Sequence, residues 1–216
     1  MKSSSKYYFL LGGFLVIILS ISYFFRNSSK KPTFILPIYG PETNGKKVVK
    51  SGHRIPSFSF IDQDGEVVSE KDIENKIAVI DYFFTTCQSI CPIMSTQMER
   101  IANEFSNDPQ LIILSHTVDP ETDTVEVLRK YASLHAANSK QWKFLTGKKE
   151  DLYSLARKGY LLDAQEGNGG EEDFIHTQNF ALIDTKRRIR GFYDGTDSVE
   201  VSKLIRDIKI LKQESY

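Results

Sequence analysis

The sequence predicts an α/β sandwich in which strands alternate with helices, with extra strands near its N-terminus. Three observations lead there. Two nearly unbroken apolar runs, "IAVIDYFF" at 77–84 and "LIILSHTV" at 111–118, are each followed by apolar residues at helical spacing. Unbroken apolar strands are those buried on both faces, and strands alternating with helices pair in parallel through right-handed crossovers. The only two cysteines of the chain, Cys87 and Cys91, sit where the first of these strands gives way to its helix. A dithiol at the end of the first strand of a βαβ unit is the thioredoxin-like position. The fold class is therefore a thioredoxin-like sandwich, with "NFALID", "RIRGFY" and a final amphipathic helix completing it.

Taken in order, the chain begins with Tyr7–Phe25, 19 residues without a charge. As a helix this run spans roughly 28 Å, close to the ~30 Å hydrocarbon core of a bilayer. Tyr7, Tyr8, Tyr23, Phe24 and Phe25 place aromatics at both ends, as at membrane interfaces. A cleaved signal peptide would use Ser20-Ile21-Ser22 as its small-residue site, but the run exceeds the usual ~7–15-residue signal core. Residues 1–26 are thus expected to form a single transmembrane anchor. Lys2 and Lys6 before the span are balanced by Arg26, Lys30 and Lys31 after it. The short tail ahead of a large folded part favours export of everything from about residue 26, on the periplasmic side in a bacterium. Residues 27–52, with Pro32, Pro37, Pro41, Gly40 and Gly45, read as a partly extended linker. The folded domain is expected over 53–216.

Within it, "IPSFSFIDQDGEVVS" reads as two short strands joined by a turn at Gly65. After the strand at 77–84, Pro92 opens a helix, the position where proline is favoured, with Met94, Met98, Ile101, Ala102 and Phe105 facing inward. Following the strand at 111–118, Asp123 is expected to cap a helix with Glu126 as its capping-box partner. Val125, Leu128, Ala132 and Leu134 supply the stripe of that helix. "WKFL" at 142–145 is a short strand, and Leu152, Leu155 and Ala156 mark a further helical segment. A glycine-rich acidic loop around Gly167, Gly169 and Gly170 leads to the last strand pair. The last helix, from about Asp197 to Gln213, turns Val201, Leu204, Ile205, Ile208 and Leu211 inward.

Lys+Arg and Asp+Glu both number 28, so no excess of positive charge is available to neutralise phosphates, and general nucleic-acid binding is excluded. The site is local, and Cys87 and Cys91 are its first candidates. Buried filler suits an exposed turn above a parallel sheet poorly, because ligand sites in such sheets lie at that carboxyl edge. A structural staple closing so small a loop would contribute little. A redox couple and a metal clamp remain, both of which need thiolates, and a helix start lowers thiol pKa. Three intervening residues, rather than two, leave room for an ion between the sulfurs. Of the four histidines, His53 lies in the entry segment, His135 is expected exposed at a helix end, and His116 lies inside a strand. His176, just before "TQNFALID", is the expected third ligand, since in a thioredoxin-like fold this connection passes over the dithiol. Two thiolates and an imidazole suit copper, Cu(I) above Cu(II), whereas structural zinc wants a fourth ligand. Met94 and Met98 are read as core.

"FFTTCQSICPIM", "TVDPETDTVEVLRKYA", "WKFLTG" and "HTQNFALID" together closely resemble the Sco/SenC family of membrane-anchored copper proteins, over about 53–213. The resemblance implies copper held by Cys87, Cys91 and His176. It also implies a metallochaperone rather than an enzyme, delivering copper to the binuclear copper site in cytochrome c oxidase subunit II, or keeping its thiols reduced. A thiol reductant is then a further partner. Two positions depart from the family pattern: Gln88 stands where many members have proline, and Ile175 where many have an acidic residue. The rival reading is a thiol-disulfide oxidoreductase in which Cys87 and Cys91 are a catalytic redox pair without a copper role.

Overall fold

The computed structural model describes residues 18, 20–22, 35–43, 46–49, 52–162, 175 and 177–214. The chain divides into two units, Met1–Phe34 and Ile35–Tyr216. In the first, residues 18 and 20–22 are helical, and the rest of the expected anchor Tyr7–Phe25 lies outside the described residues. Among the described residues no helix is long and apolar enough to cross a membrane.

In the second unit the described strands are β1 (Tyr39–Thr43), β2 (Lys46–Val49), β3 (Ser59–Asp62), β4 (Val67–Ser69), β5 (Ile77–Phe83), β6 (Leu111–Thr117), β7 (Trp142–Thr146), β8 (Asn179–Ile183) and β9 (Ile189–Asp194). They form one sheet in the order β2-β1-β9-β8-β5-β6-β7-β3-β4. The pairs β5–β6 and β6–β7 are parallel, as alternation with helices requires, and the flanking pairs are antiparallel. The helices are α1 (Cys91–Glu104), α2 (Val125–Leu134), α3 (Lys149–Ser154) and α4 (Ser198–Glu214), with a π-helical turn at Leu155–Gly159 directly after α3.

Every residue of β5 and β6 is buried, because each face of the sheet is covered. Alternation along a strand sends successive side chains to opposite faces. On one face Ile77, Val79 and Phe83 pack with Met94, Met98 and Ile101 of α1 and with Val201, Leu204, Ile205, Ile208 and Leu211 of α4. On the other, Ala78, Ile80 and Tyr82 pack with Phe58, Phe60, Leu152, Leu155 and Tyr160. The β3–β4 hairpin turns at Gly65, whose φ of 86° only glycine adopts without strain.

Three sequence expectations change. The segment read as linker contributes β1 and β2, with Tyr39 pairing Ile189 of β9; Pro37 precedes β1, and Pro41 sits at its bulge between Gly40 and Glu42, where a missing N–H is tolerated. Leu134 is 79% exposed, because it is off the stripe formed by Leu128 and Ala132. The N-cap of α2 is Thr124, without a side-chain hydrogen bond, so Asp123 does not cap this helix.

The N-terminal end of the unit is clamped by Arg190, which is 3% exposed. Its guanidinium donates to the carbonyls of Leu36 (2.7 Å) and Pro37 (3.0 Å). It also pairs with Asp184 (3.0 Å) and Glu214 (2.6 Å). Glu214 in turn accepts the Leu36 N–H at 2.8 Å. Removing one member leaves buried charges unpaired, so Arg190→Ala is expected to cost about 3–5 kcal/mol, read from urea unfolding midpoints at unchanged slope.

Candidate metal centre

The dithiol loop leaves the sheet at the carboxyl end of β5. Cys87 N–H donates to the Phe84 carbonyl at 3.2 Å, and Met94 N–H to the Ile90 carbonyl at 3.0 Å, so a turn and a helix start follow each other closely. Pro92 falls in the first turn of α1, where its missing N–H would have had no intrahelical partner. Cys87 is half-buried, Cys91 is buried, and both are free thiols.

Their environments push them apart. Burial alone would raise the Cys87 thiol. Hydrogen bonds from the Cys91 side chain, the Ser89 and Cys91 amides and the Ser89 hydroxyl overcome it and bring the thiol down to about 7. The Ser89 Oγ lies 3.7 Å from the Cys87 sulfur. Burial, then the neighbouring Cys87 sulfur and the Asp81 charge, push Cys91 up to about 12. The accessible sulfur is thus the one that ionises near neutrality, and the buried one keeps its proton.

Asp81, the single acidic residue in β5, is buried on the Cys91 side of the sheet. Its Oδ1 accepts the Ser115 hydroxyl at 2.5 Å, and Ser115 Oγ accepts the Trp142 indole N–H at 2.9 Å. Burial raises the carboxyl to about 7 despite these bonds. The interruption of an apolar run by an aspartate is a sequence signal for such a group, and the sequence reading passed over it.

The histidines separate cleanly. His116 alternates to the opposite face from Asp81, enclosed by the rings of Phe58, Phe60, Tyr82 and Tyr160. Burial depresses it to about 3, and it is not part of the dithiol site. His135 is not exposed as expected. Its ring lies against Tyr131 and Trp142, and its Nδ1 is 2.6 Å from Glu99. His53 Nε2 is 2.7 Å from the Gly159 carbonyl. His176, the expected third ligand, lies outside the described residues. Its neighbour Ile175 is 4% exposed and packs in the Tyr82–Tyr160 cluster. Two residues on, Gln178 accepts the Gly195 N–H at 2.7 Å. Met94 and Met98 are core residues, fully enclosed.

The donor set fits a soft metal ion. Two sulfurs meet at a helix start, one ionised near neutrality, and thiolates select Cu(I) over harder cations. Among the described residues no third histidine, cysteine or carboxylate joins them.

The SCO1/SenC family profile matches residues 47–213. The chain belongs to the SCO1/SenC family. Its relatives include the SCO1 protein homolog of Bacillus subtilis, 28% identical over 159 residues, covering 73% of this chain and 82% of that protein. Among solved structures, BsSco, described as a member of the Sco family of cytochrome c oxidase assembly proteins, superposes with a TM-score of 0.63 at 27% identity. It covers 74% of this chain and 93% of its own. Arabidopsis thaliana ScoI, solved with copper bound, gives 0.59 at 25% identity, covering 74% and 98%. These SCO1/SenC neighbours share the thioredoxin-like α/β sandwich described above.

Two measurements follow. Iodoacetamide at pH 8 is expected to label Cys87 and spare Cys91, with the Cys87 rate rising through a midpoint near 7, read by mass spectrometry. Burial raises the Asp81 carboxyl from its ordinary 3.8 to about 7. The stability it contributes when protonated is complete below 3.8 and is lost as pH rises through 7. Asp81→Asn is therefore expected to gain on the wild type between pH 4 and pH 8, on the order of 2–4 kcal/mol in urea unfolding.

Proposed function

We propose that this protein is a membrane-anchored, extracytoplasmic copper-binding protein. In this reading it delivers copper to, or keeps reduced, the binuclear copper site of cytochrome c oxidase subunit II. The observation that carries the reading is the pairing of a half-exposed, readily ionised Cys87 with a buried Cys91 at the start of α1, in a chain of the SCO1/SenC family. The copper bound to Arabidopsis thaliana ScoI and the cytochrome c oxidase assembly role of the family to which BsSco belongs support the choice of cargo and destination. Residues 1–26 are the anchor, and the working domain read from the sequence as 53–216 also takes in β1 and β2 from the connecting segment 27–52.

Copper is the cargo. Cys87 offers a thiolate at neutral pH, Cys91 sheds its proton as the ion is taken up, and His176 supplies the third donor from the segment entering β8. Because a proton must leave, affinity rises with pH. Transfer proceeds by exchange of these ligands for those of the acceptor.

The same asymmetry also favours a second reading, a thiol-disulfide oxidoreductase. Cys87 attacks a partner disulfide and displaces one sulfur as thiolate. Cys91 then attacks the mixed disulfide and releases the second, so two electrons and two protons pass to the partner while Cys87–Cys91 becomes a disulfide. The oxidised pair has no thiolates left for Cu(I), so the two activities alternate rather than compete.

Anaerobic Cu(I) titration against a chromophoric competitor tests the first reading. One equivalent is expected to bind. His176→Ala is expected to weaken binding about tenfold or more, ~1.4 kcal/mol. If the wild type binds no better than the Cys87→Ser/Cys91→Ser double variant, the copper reading is wrong. Rapid disulfide exchange that is indifferent to His176→Ala would then favour the oxidoreductase.

A further inference from the structure

Asp123 is fully buried, and it does not serve the helix it precedes. Its carboxylate instead accepts the Thr85 N–H, at 3.3 Å to Oδ1 and 3.2 Å to Oδ2, and also the Thr85 hydroxyl. From the other side it accepts the Thr117 hydroxyl at 2.5 Å, and Thr117 Oγ1 accepts the Asp119 N–H at 2.9 Å. One side chain therefore joins the first turn after β5, the last residue of β6 and the loop leading to α2.

We propose that Asp123 is a positioning residue for the dithiol: by gripping Thr85 it fixes where Cys87 emerges from β5. This rests on the reading that the dithiol is the working site. The ladder between β5 and β6 closes at the Phe83 carbonyl, which accepts the Val118 N–H at 2.8 Å. Thr85 comes after that last bond, and its part-buried N–H needs an acceptor. A carboxylate supplies two oxygens that only accept, which matches three converging donors. Charge-assisted bonds of this kind are also roughly twice as strong as neutral ones. An amide in its place would turn an N–H toward one of the donors. Thr85 is two residues before Cys87, so its anchorage sets the start of the turn that carries the exposed sulfur. Cys91 is the first residue of α1, and its sulfur bonds the Phe84 backbone at the same exit from β5. The separation of the two sulfurs thus depends on a contact from a different loop, 38 positions away in sequence.

The test uses the reduced protein with three readouts: Cu(I) affinity, the pH profile of Cys87 alkylation, and urea unfolding. Thr85→Val removes the hydroxyl but keeps the N–H. Asp123→Asn keeps the shape but removes one acceptor. Both are expected to weaken Cu(I) binding by about tenfold, as loss of a group supporting a ligand does, and to move the Cys87 alkylation profile to higher pH. Thr85→Ser, which restores the hydroxyl, should recover both. Gln63→Ala, which loses bonds to the Trp142 carbonyl and the Phe144 N–H at the far end of the parallel strands, should lower stability and leave both readouts at wild-type values. Wild-type behaviour in Thr85→Val, or an equal shift in Gln63→Ala, would overturn the proposal. If Asp123→Asn does not fold, the Thr85 pair decides. If the wild type itself takes up no Cu(I), the copper reading fails while the alkylation profiles still decide whether Asp123 positions Cys87.

Discussion

The parallel pairing of β5 with β6, seven residues from Ile77↔Leu111 to Phe83↔Thr117, is the constraint on which the site depends. Parallel strands in register end at the same edge. The loop after β5 carries Cys87 and leads to Cys91 at the start of α1, and the loop after β6 carries Asp123, so the register brings them to one edge. The two faces of the pair also forbid a slip by one residue, which would exchange every side chain between faces. Asp81 has its hydroxyl partner Ser115 on one face, while His116 sits among four aromatic rings on the other. Exchanging them would strand a carboxyl among rings and place an imidazole against the methionines of α1.

Most of this frame was legible in the sequence because its signals are long and local. The apolar runs became β5 and β6, the stripe from Val201 to Leu211 became α4, and Gly65 turned the β3–β4 hairpin. What was not legible depends on distant partners. β1 and β2 lie in a stretch rich in proline and glycine, and β1 pairs with a strand about 150 residues later, which no local pattern announces. At the site, the cysteines and Pro92 identified themselves by type and spacing. Asp123 did not, because an aspartate before a helix looks the same whether it caps that helix or reaches back to another loop. The preference for Asn, Asp, Ser and Thr at helix starts pointed to the cap, while the Thr85 N–H and hydroxyl and the Thr117 hydroxyl at the end of β6 drew the carboxylate away.

The two departures from the family pattern differ in kind. Gln88 is exposed in the dithiol loop, where its side chain meets solvent. Ile175 is buried against Tyr82 and Tyr160, so an apolar residue there is supported by packing rather than by charge. The entry to β8 is held on its far side as well, through Gln178, which binds both Gly195 and Asp194. The segment that would bring His176 to the sulfurs is thus bracketed by a hydrophobic anchor and a polar one.

Arg190 has a practical consequence for anyone dissecting this protein. A fragment begun at residue 53, where the sequence pattern of the domain starts, would lack the two carbonyls that the guanidinium binds and the amide that Glu214 accepts. The cut would leave a cation in a half-emptied pocket between β9 and the last turn of α4, at the opposite side of the sheet from β3 and β4. A soluble version should begin no later than Ile35 and retain Glu214, because the two ends of the working unit form a single fastening and trimming either one opens it.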